Sequence, residues 1–155
     1  MTVKAIPAGY HTVTPYLLSK DAAAVLDFAK RAFGATEVEK HEDGDGKVQH
    51  AAIRIGDSMV MIGQANDKFK AMPAMLHLYV PDVDAVYQRA IHAGGNSVRE
   101  PTNEFYGDRS AGVEDSTGNQ WWIATHVEDV SPEEMQRLRL KFLTSCFSVT
   151  VITIY

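Results

Sequence analysis

The sequence predicts an α+β protein built from two tandem βαβββ modules. Three observations lead there. First, the chain repeats itself at a spacing of 61 residues: Leu17, Asp21, Ala24 and Val25 fall on Leu78, Asp82, Ala85 and Val86, and Ala29, Ala32 and Gly34 fall on Ala90, Ala93 and Gly95. Second, each copy carries apolar residues at i, i+3, i+4 and i+7, the mark of a helix with one buried face. Third, each helix is followed by short β-rich stretches separated by Gly- and Asp-rich turns.

The elements follow in order. A strand ending near Leu18 precedes a helix with Ala22, Val25, Leu26, Ala29, Ala32 and Phe33 on one face, stopped by Gly34. Extended segments are expected at 37–41, 47–55 and 58–63, divided by Asp43-Gly44-Asp45-Gly46 and Gly56-Asp57. The second copy begins with a strand over Met75–Val80. Its helix buries Val83, Val86, Tyr87, Ala90 and Ile91 and stops at Gly94-Gly95. Strands at 97–99, 109–114 and 119–126 complete it, with a long loop at 101–108. Module one thus covers about residues 10–65 and module two about 74–126, inside a domain spanning 1–137. Ser131-Pro132-Glu133-Glu134 is a helix start, with Ser as N-cap and Pro at the first helical position. That helix should reach about Leu143, and the β-branched tail after it, within 131–155, suits an edge strand or a sticky extension.

Composition narrows the function classes. The 155 residues are 45% hydrophobic and 23% charged, which excludes disorder. A formal charge of −5 gives no electrostatic footprint for a nucleic-acid backbone. The lone Cys146 excludes an internal disulfide framework and points to a reducing, cytoplasmic setting. No secretory pattern opens the chain, and no apolar run reaches the roughly 18 residues of a membrane span.

Several motifs together resemble the vicinal oxygen chelate superfamily, which includes glyoxalase I, bleomycin-resistance proteins and extradiol dioxygenases, and within it the PhnB-like branch. They are Val13-Thr14-Pro15-Tyr16-Leu17, Asp27-Phe28 with Ala32-Phe33-Gly34-Ala35, and Val80-Pro81-Asp82-Val83-Asp84. Tyr106-Gly107-Asp108-Arg109 and the run from Asp115 to His126 complete the set. The resemblance implies a half-open, eight-stranded barrel-like sheet around a cavity, and a homodimer. It also implies metal ligands on the first and last strands of each module, where this chain has Thr14, Met75, Met61 and Trp122. None is a His, Glu or Gln, and a methionine thioether is a soft ligand unsuited to such ions. No metal or other cofactor is therefore expected at those positions.

Strand alternation sorts the side chains by face. In the fifth strand Leu76, Leu78 and Val80 should pack under a helix, opposite Met75, His77 and Tyr79. The corresponding lining elsewhere is Tyr16, His50, Arg54, Met61, Gln120 and Trp122. A surface rich in Met and aromatic residues with few polar groups suits an apolar or planar small molecule. The same residues would also serve to fill a closed core. Arg109, at the end of the long loop, is the candidate to read an anion over the opening, or else pairs with Asp108 or Glu114.

Four functions fit. The first is a small-molecule-binding protein without metal. The second is a glyoxalase-like lyase or isomerase using a displaced metal at His50, His77 and His126. The third is metal-free acid–base catalysis by His77 and Tyr16. The fourth is a dimeric interaction module with no ligand. The first is the leading expectation, because the usual ligands are missing and the lining is aromatic.

Overall fold

The computed structural model describes residues 3–147. Module one runs β1 (Tyr16–Ser19), α1 (Ala22–Phe33), β2 (Thr36–Glu42), β3 (Val48–Ile55) and β4 (Ser58–Gln64). Module two runs β5 (Met75–Tyr79), α2 (Val83–His92), β6 (Asn96–Asn103), β7 (Asp108–Glu114) and β8 (Gln120–His126), and α3 (Pro132–Phe147) follows. Each module makes one four-stranded sheet. Sheet A has the order β1-β4-β3-β2 and sheet B has β5-β8-β7-β6. In both, the first strand pairs parallel with the last and the remaining pairs are antiparallel. The repeat read from the sequence is a structural one: Tyr16 pairs with Met61 in sheet A, and His77 with Trp122 in sheet B.

The helices form where the repeat places them, with matching starts. Asp21 Oδ1 accepts from Ala24 N at 2.9 Å and Asp82 Oδ1 from Ala85 N at 3.0 Å, each satisfying an N-terminal amide that the helix itself cannot. Their buried stripes cover one face of each sheet: Leu17, Ala51, Ile53 and Ile62 in sheet A, and Ala111, Val113, Trp121 and Ile123 in sheet B. The two halves share this core. Phe28 and Phe33 of α1 lie 6.2 and 4.9 Å from the Trp121 ring of β8, and Arg89 Nε of α2 donates to the Ala32 carbonyl at 3.3 Å. A buried tryptophan flanked by two phenylalanines is a large apolar anchor, and it locks one module to the other.

Three boundaries differ from the sequence expectation. Pro15 offers only a carbonyl, which Met61 N meets at 2.9 Å, so β1 begins at Tyr16 and leaves Val13 and Thr14 outside it. β6 does not stop at Arg99 but continues through Pro101 to Asn103, and no long loop follows. An edge strand tolerates a proline, and the register shift between Arg99 and Thr102 accommodates it. The turn is closed by Glu104 N on the Asp108 carbonyl at 2.7 Å. α3 starts at the expected cap, with Glu134 N on Ser131 Oγ at 3.2 Å, and runs past Leu143 to Phe147. Residues 148–155 of the β-branched tail lie outside the described residues.

Candidate functional site

Both helices cover the same side of their sheets, so the opposite faces are left to line a site. In sheet A this face carries Tyr16, His50, Arg54 and Met61. Tyr16 lies over β4, where a Cβ on Gly63 would come 2.7 Å from its ring, and its hydroxyl meets His50 Nδ1 at 3.1 Å. Arg54 is exposed and Met61 half-buried.

Sheet B carries the denser arrangement. Arg99, Gly112, Trp122 and His77 stand in one row across β6, β7, β8 and β5. Gly112 is the gap that admits the indole: a Cβ there would sit 3.3 Å from Trp122 Cζ2. The Arg99 guanidinium lies 4.8 Å from the Trp122 ring centroid, a cation–π contact. Its Nη2 reaches Ser110 Oγ and Glu104 Oε1, both at 2.5 Å. Two buried N–H groups in this cluster, Arg99 Nε and Trp122 Nε1, have no acceptor among the described residues. Met75 and Tyr79 are about two-thirds exposed on the same face, and the His77 and Tyr79 rings are 5.0 Å apart.

Beside this row stands a buried carboxylate, Asp108, which is 4% exposed. The Tyr79 hydroxyl donates to its Oδ2 at 2.9 Å, and His126 Nδ1 donates to its Oδ1 at 2.8 Å. His126 Nε2 lies 3.0 Å from Asp129. Hydrogen bonds to Asp129 and Asp108 raise the His126 pKa above its ordinary value. The hydrogen bond to Asp108, with some desolvation, raises that of Tyr79. Both carboxylates thus favour the charged imidazole over the neutral one.

A cleft of about 580 Å³ opens beside β5, between the lead-in to β1, the β3–β4 turn and the helix-side residues Phe33, Val86 and Trp121. His77 and Tyr79 line it, together with Leu76, Leu78 and Val80. Those three aliphatic residues were expected to be covered by a helix and are instead half-buried, because the cleft opens on them.

Of the ten residues read as lining, nine lie on these open faces, Gln120 at the Met75 end of sheet B among them. Arg109 does not join them. β7 begins at Asp108, so alternation sends Arg109 to the helix side, where Nε and Nη2 bind the Asp84 carboxylate of α2, each at 2.7 Å. The pair holds Asp84 below the usual carboxylate range. Nor do His50, His77 and His126 gather: His50 belongs to sheet A and the other two to sheet B. Among the described residues no three His, Cys, Asp or Glu side chains group to hold a metal ion. Tyr16 and His77 hold equivalent places in different sheets, and the hydroxyl of Tyr16 is engaged with His50. Sequence reasoning missed Arg99, Glu104, Asp108 and Ser110. Their signal was present in the alternation of β7, but Pro101 concealed the strand that supplies Arg99.

Paired βαβββ modules with helices on one side and open sheet faces on the other define a recognised class of fold. The chain belongs to the Glyoxalase/Bleomycin resistance protein/Dioxygenase superfamily, whose pattern it matches over residues 10–123. It is 36% identical over 138 residues to the uncharacterized proteins Mb0911c of Mycobacterium bovis and Rv0887c of Mycobacterium tuberculosis. These matches cover 80% of this chain and 89% and 79% of the two relatives. Among solved structures it is similar in fold to TioX from Micromonospora sp. ML1, with a TM-score of 0.66 and 22% identity over 76% of this chain and 99% of that one. Lactoylglutathione lyase from Agrobacterium tumefaciens is similar at a TM-score of 0.57 and 19% identity, covering 77% and 94%.

Proposed function

We propose that the chain is a small-molecule-binding protein of the PhnB-like branch of this superfamily. It takes an apolar, planar ligand bearing a hydrogen-bond acceptor onto the open face of sheet B. The unmet N–H of Trp122 carries this reading, because a buried donor without a partner costs about 1–3 kcal/mol and is satisfied by an acceptor brought from outside. Arg99 Nε offers a second such donor in the same cluster, and Met75 and Tyr79 offer exposed apolar surface. Arg99 is already matched by Glu104, so a neutral carbonyl suits the site better than a second carboxylate.

The superfamily's usual metal does not fit the residues at its positions. Thr14 Oγ1 is turned to the His11 carbonyl at 3.4 Å, Met61 and Met75 offer thioethers, and Trp122 presents an N–H, which donates and cannot ligate. A lyase activity such as the name of the Agrobacterium neighbour states would need a different donor set here. The working unit in this reading is a homodimer, supported by the exposure of Met75 and Tyr79 on an otherwise ordered strand.

The test is a screen of planar aromatic carbonyl compounds followed by intrinsic fluorescence and calorimetry. Expected is binding that Trp122→Phe, which keeps the apolar ring but removes the N–H, weakens about tenfold, the upper end for one neutral hydrogen bond. Equal affinity in wild type and Trp122→Phe, or no binder in the screen, overturns the reading. Light scattering reports the dimer separately.

A further inference from the structure

We propose a second site: a divalent late-transition-metal ion held by His41 and His50 on sheet A, through side chains other than those at the superfamily's metal positions. The two histidines are direct partners across the antiparallel β2–β3 pair. Side chains of directly opposed residues share a face and stand close enough to grip one ion. Their ring centroids are 6.1 Å apart and their planes are inclined by 31°. One tetrahedral ion bonded to two imidazoles at about 2.0–2.1 Å holds their centroids roughly 5 Å apart, so the two rings close by about 1 Å to share it.

Each imidazole is already oriented through one nitrogen, leaving the other available. His41 Nε2 lies 2.5 Å from Glu39 Oε1, and an ionised carboxylate only accepts, so in the neutral ring the lone pair sits on Nδ1. His50 Nδ1 lies 3.1 Å from the Tyr16 hydroxyl, and with the phenol as acceptor the lone pair sits on Nε2. A carboxylate or hydroxyl behind each ligating histidine is the arrangement that fixes the tautomer and ring direction in metal sites. With two protein ligands rather than three, water completes the coordination sphere. Imidazole donors with open positions suit Zn(II), Ni(II) or Cu(II) and reject Mg(II) and Ca(II).

The hairpin beneath the pair is stiffly tied. Asp43 accepts from Asp45 N at 3.0 Å and Lys47 N at 2.9 Å through Oδ1, and from Gln49 Nε2 at 2.7 Å through Oδ2. Glu39 also borders a hollow of about 510 Å³ that it shares with Tyr10, His11 and Met61, so solvent and ions reach this corner.

The experiment titrates chelator-treated full-length protein with Zn(II) or Ni(II) alone, by calorimetry, with Mg(II) as the control. Single variants His41→Ala and His50→Ala are each expected to lose at least tenfold in affinity. Glu39→Gln should lose about tenfold, as the supporting partner of a ligand does. His92→Ala, whose ring Nδ1 serves the Gln88 carbonyl on α2, should match wild type. In the wild-type protein, Ni(II) should broaden the His41 and His50 ring resonances together and before any other histidine, a readout that does not depend on a variant folding. Less than a tenfold loss in either alanine variant, or first broadening at another histidine, overturns the proposal.

Discussion

Trp121 and Trp122 are neighbours in the chain and opposites in the fold. Trp121 is fully buried on the helix side of β8, and its Nε1 donates to Asp115 Oδ2 at 2.9 Å. Trp122 faces the open side, and its Nε1 is buried without an acceptor among the described residues. One indole is satisfied by the protein and the other is left for something else to satisfy.

This contrast predicts opposite behaviour for the same substitution. Trp121→Phe opens a cavity among Phe28, Phe33 and the strands and deprives Asp115 of a donor, and should cost about 2–4 kcal/mol. Trp122→Phe removes an N–H that makes no bond, and should stay within about 1 kcal/mol of wild type. Urea denaturation of the two variants measures both. A cost above that bound for Trp122→Phe would show that its N–H is satisfied within the folded chain.

Asp115, 2% exposed, organises the turn before β8. It accepts from Thr117 N and Oγ1, from Asn119 N and Nδ2, and from Trp121 Nε1, at distances of 2.7 to 3.1 Å. Asp115→Ala strands these donors and should lose about 3 kcal/mol or more, read as a fall in the denaturation midpoint. Asp115→Asn, which keeps one acceptor oxygen, should recover part of that loss.

His126 gives the fold a pH-dependent component. Its pKa is raised in the folded protein, first by Asp129 and then by Asp108, so the folded state binds the proton more tightly than the unfolded chain. The stabilisation is fully present below the ordinary value of 6.5 and is lost as pH rises through the raised folded value. Melting curves of wild type and His126→Gln should therefore converge with rising pH and separate on the acid side. Parallel curves across that range would mean that the two carboxylates do not hold the charged ring.

Gly95 is required for space. A Cβ there would overlap Val113 Cγ1 and lie 3.0 Å from the Ala90 carbonyl and 3.1 Å from Phe28. Gly95→Ala should cost about 1–3 kcal/mol by overpacking. Gly44→Ala, in the open β2–β3 turn, serves as the matched control, since nothing lies near its position. Calorimetric melting of the pair separates crowding from the general cost of replacing glycine.

The duplicated architecture was legible because its determinants are local. Asp21 and Asp82 cap their helices, and the apolar spacing fixes which face each helix buries. Alternation along β5 and β8 then follows without any long-range knowledge, and it put His77, Tyr79 and Trp122 on the open face. Arg99 escaped because a proline two residues later reads as the end of a strand, and only its place at a sheet edge allows the strand to continue. Arg109 was misplaced for a related reason: beginning β7 one residue late leaves its face undetermined. The His41–His50 pairing depends on hairpin register, and the shift between His41 and Glu42 is not written in the turn residues.

The contact of Phe33 with Trp121 sets the size of the folding unit. Each module looks like a self-sufficient repeat, yet the apolar cap on the second module's last strand is supplied by the first module's helix. A chain of residues 74–126 alone would lack the Phe28 and Phe33 contacts and so part of the packing around this indole. Fragments of the two halves mixed in solution should regain a melting transition that neither shows by itself.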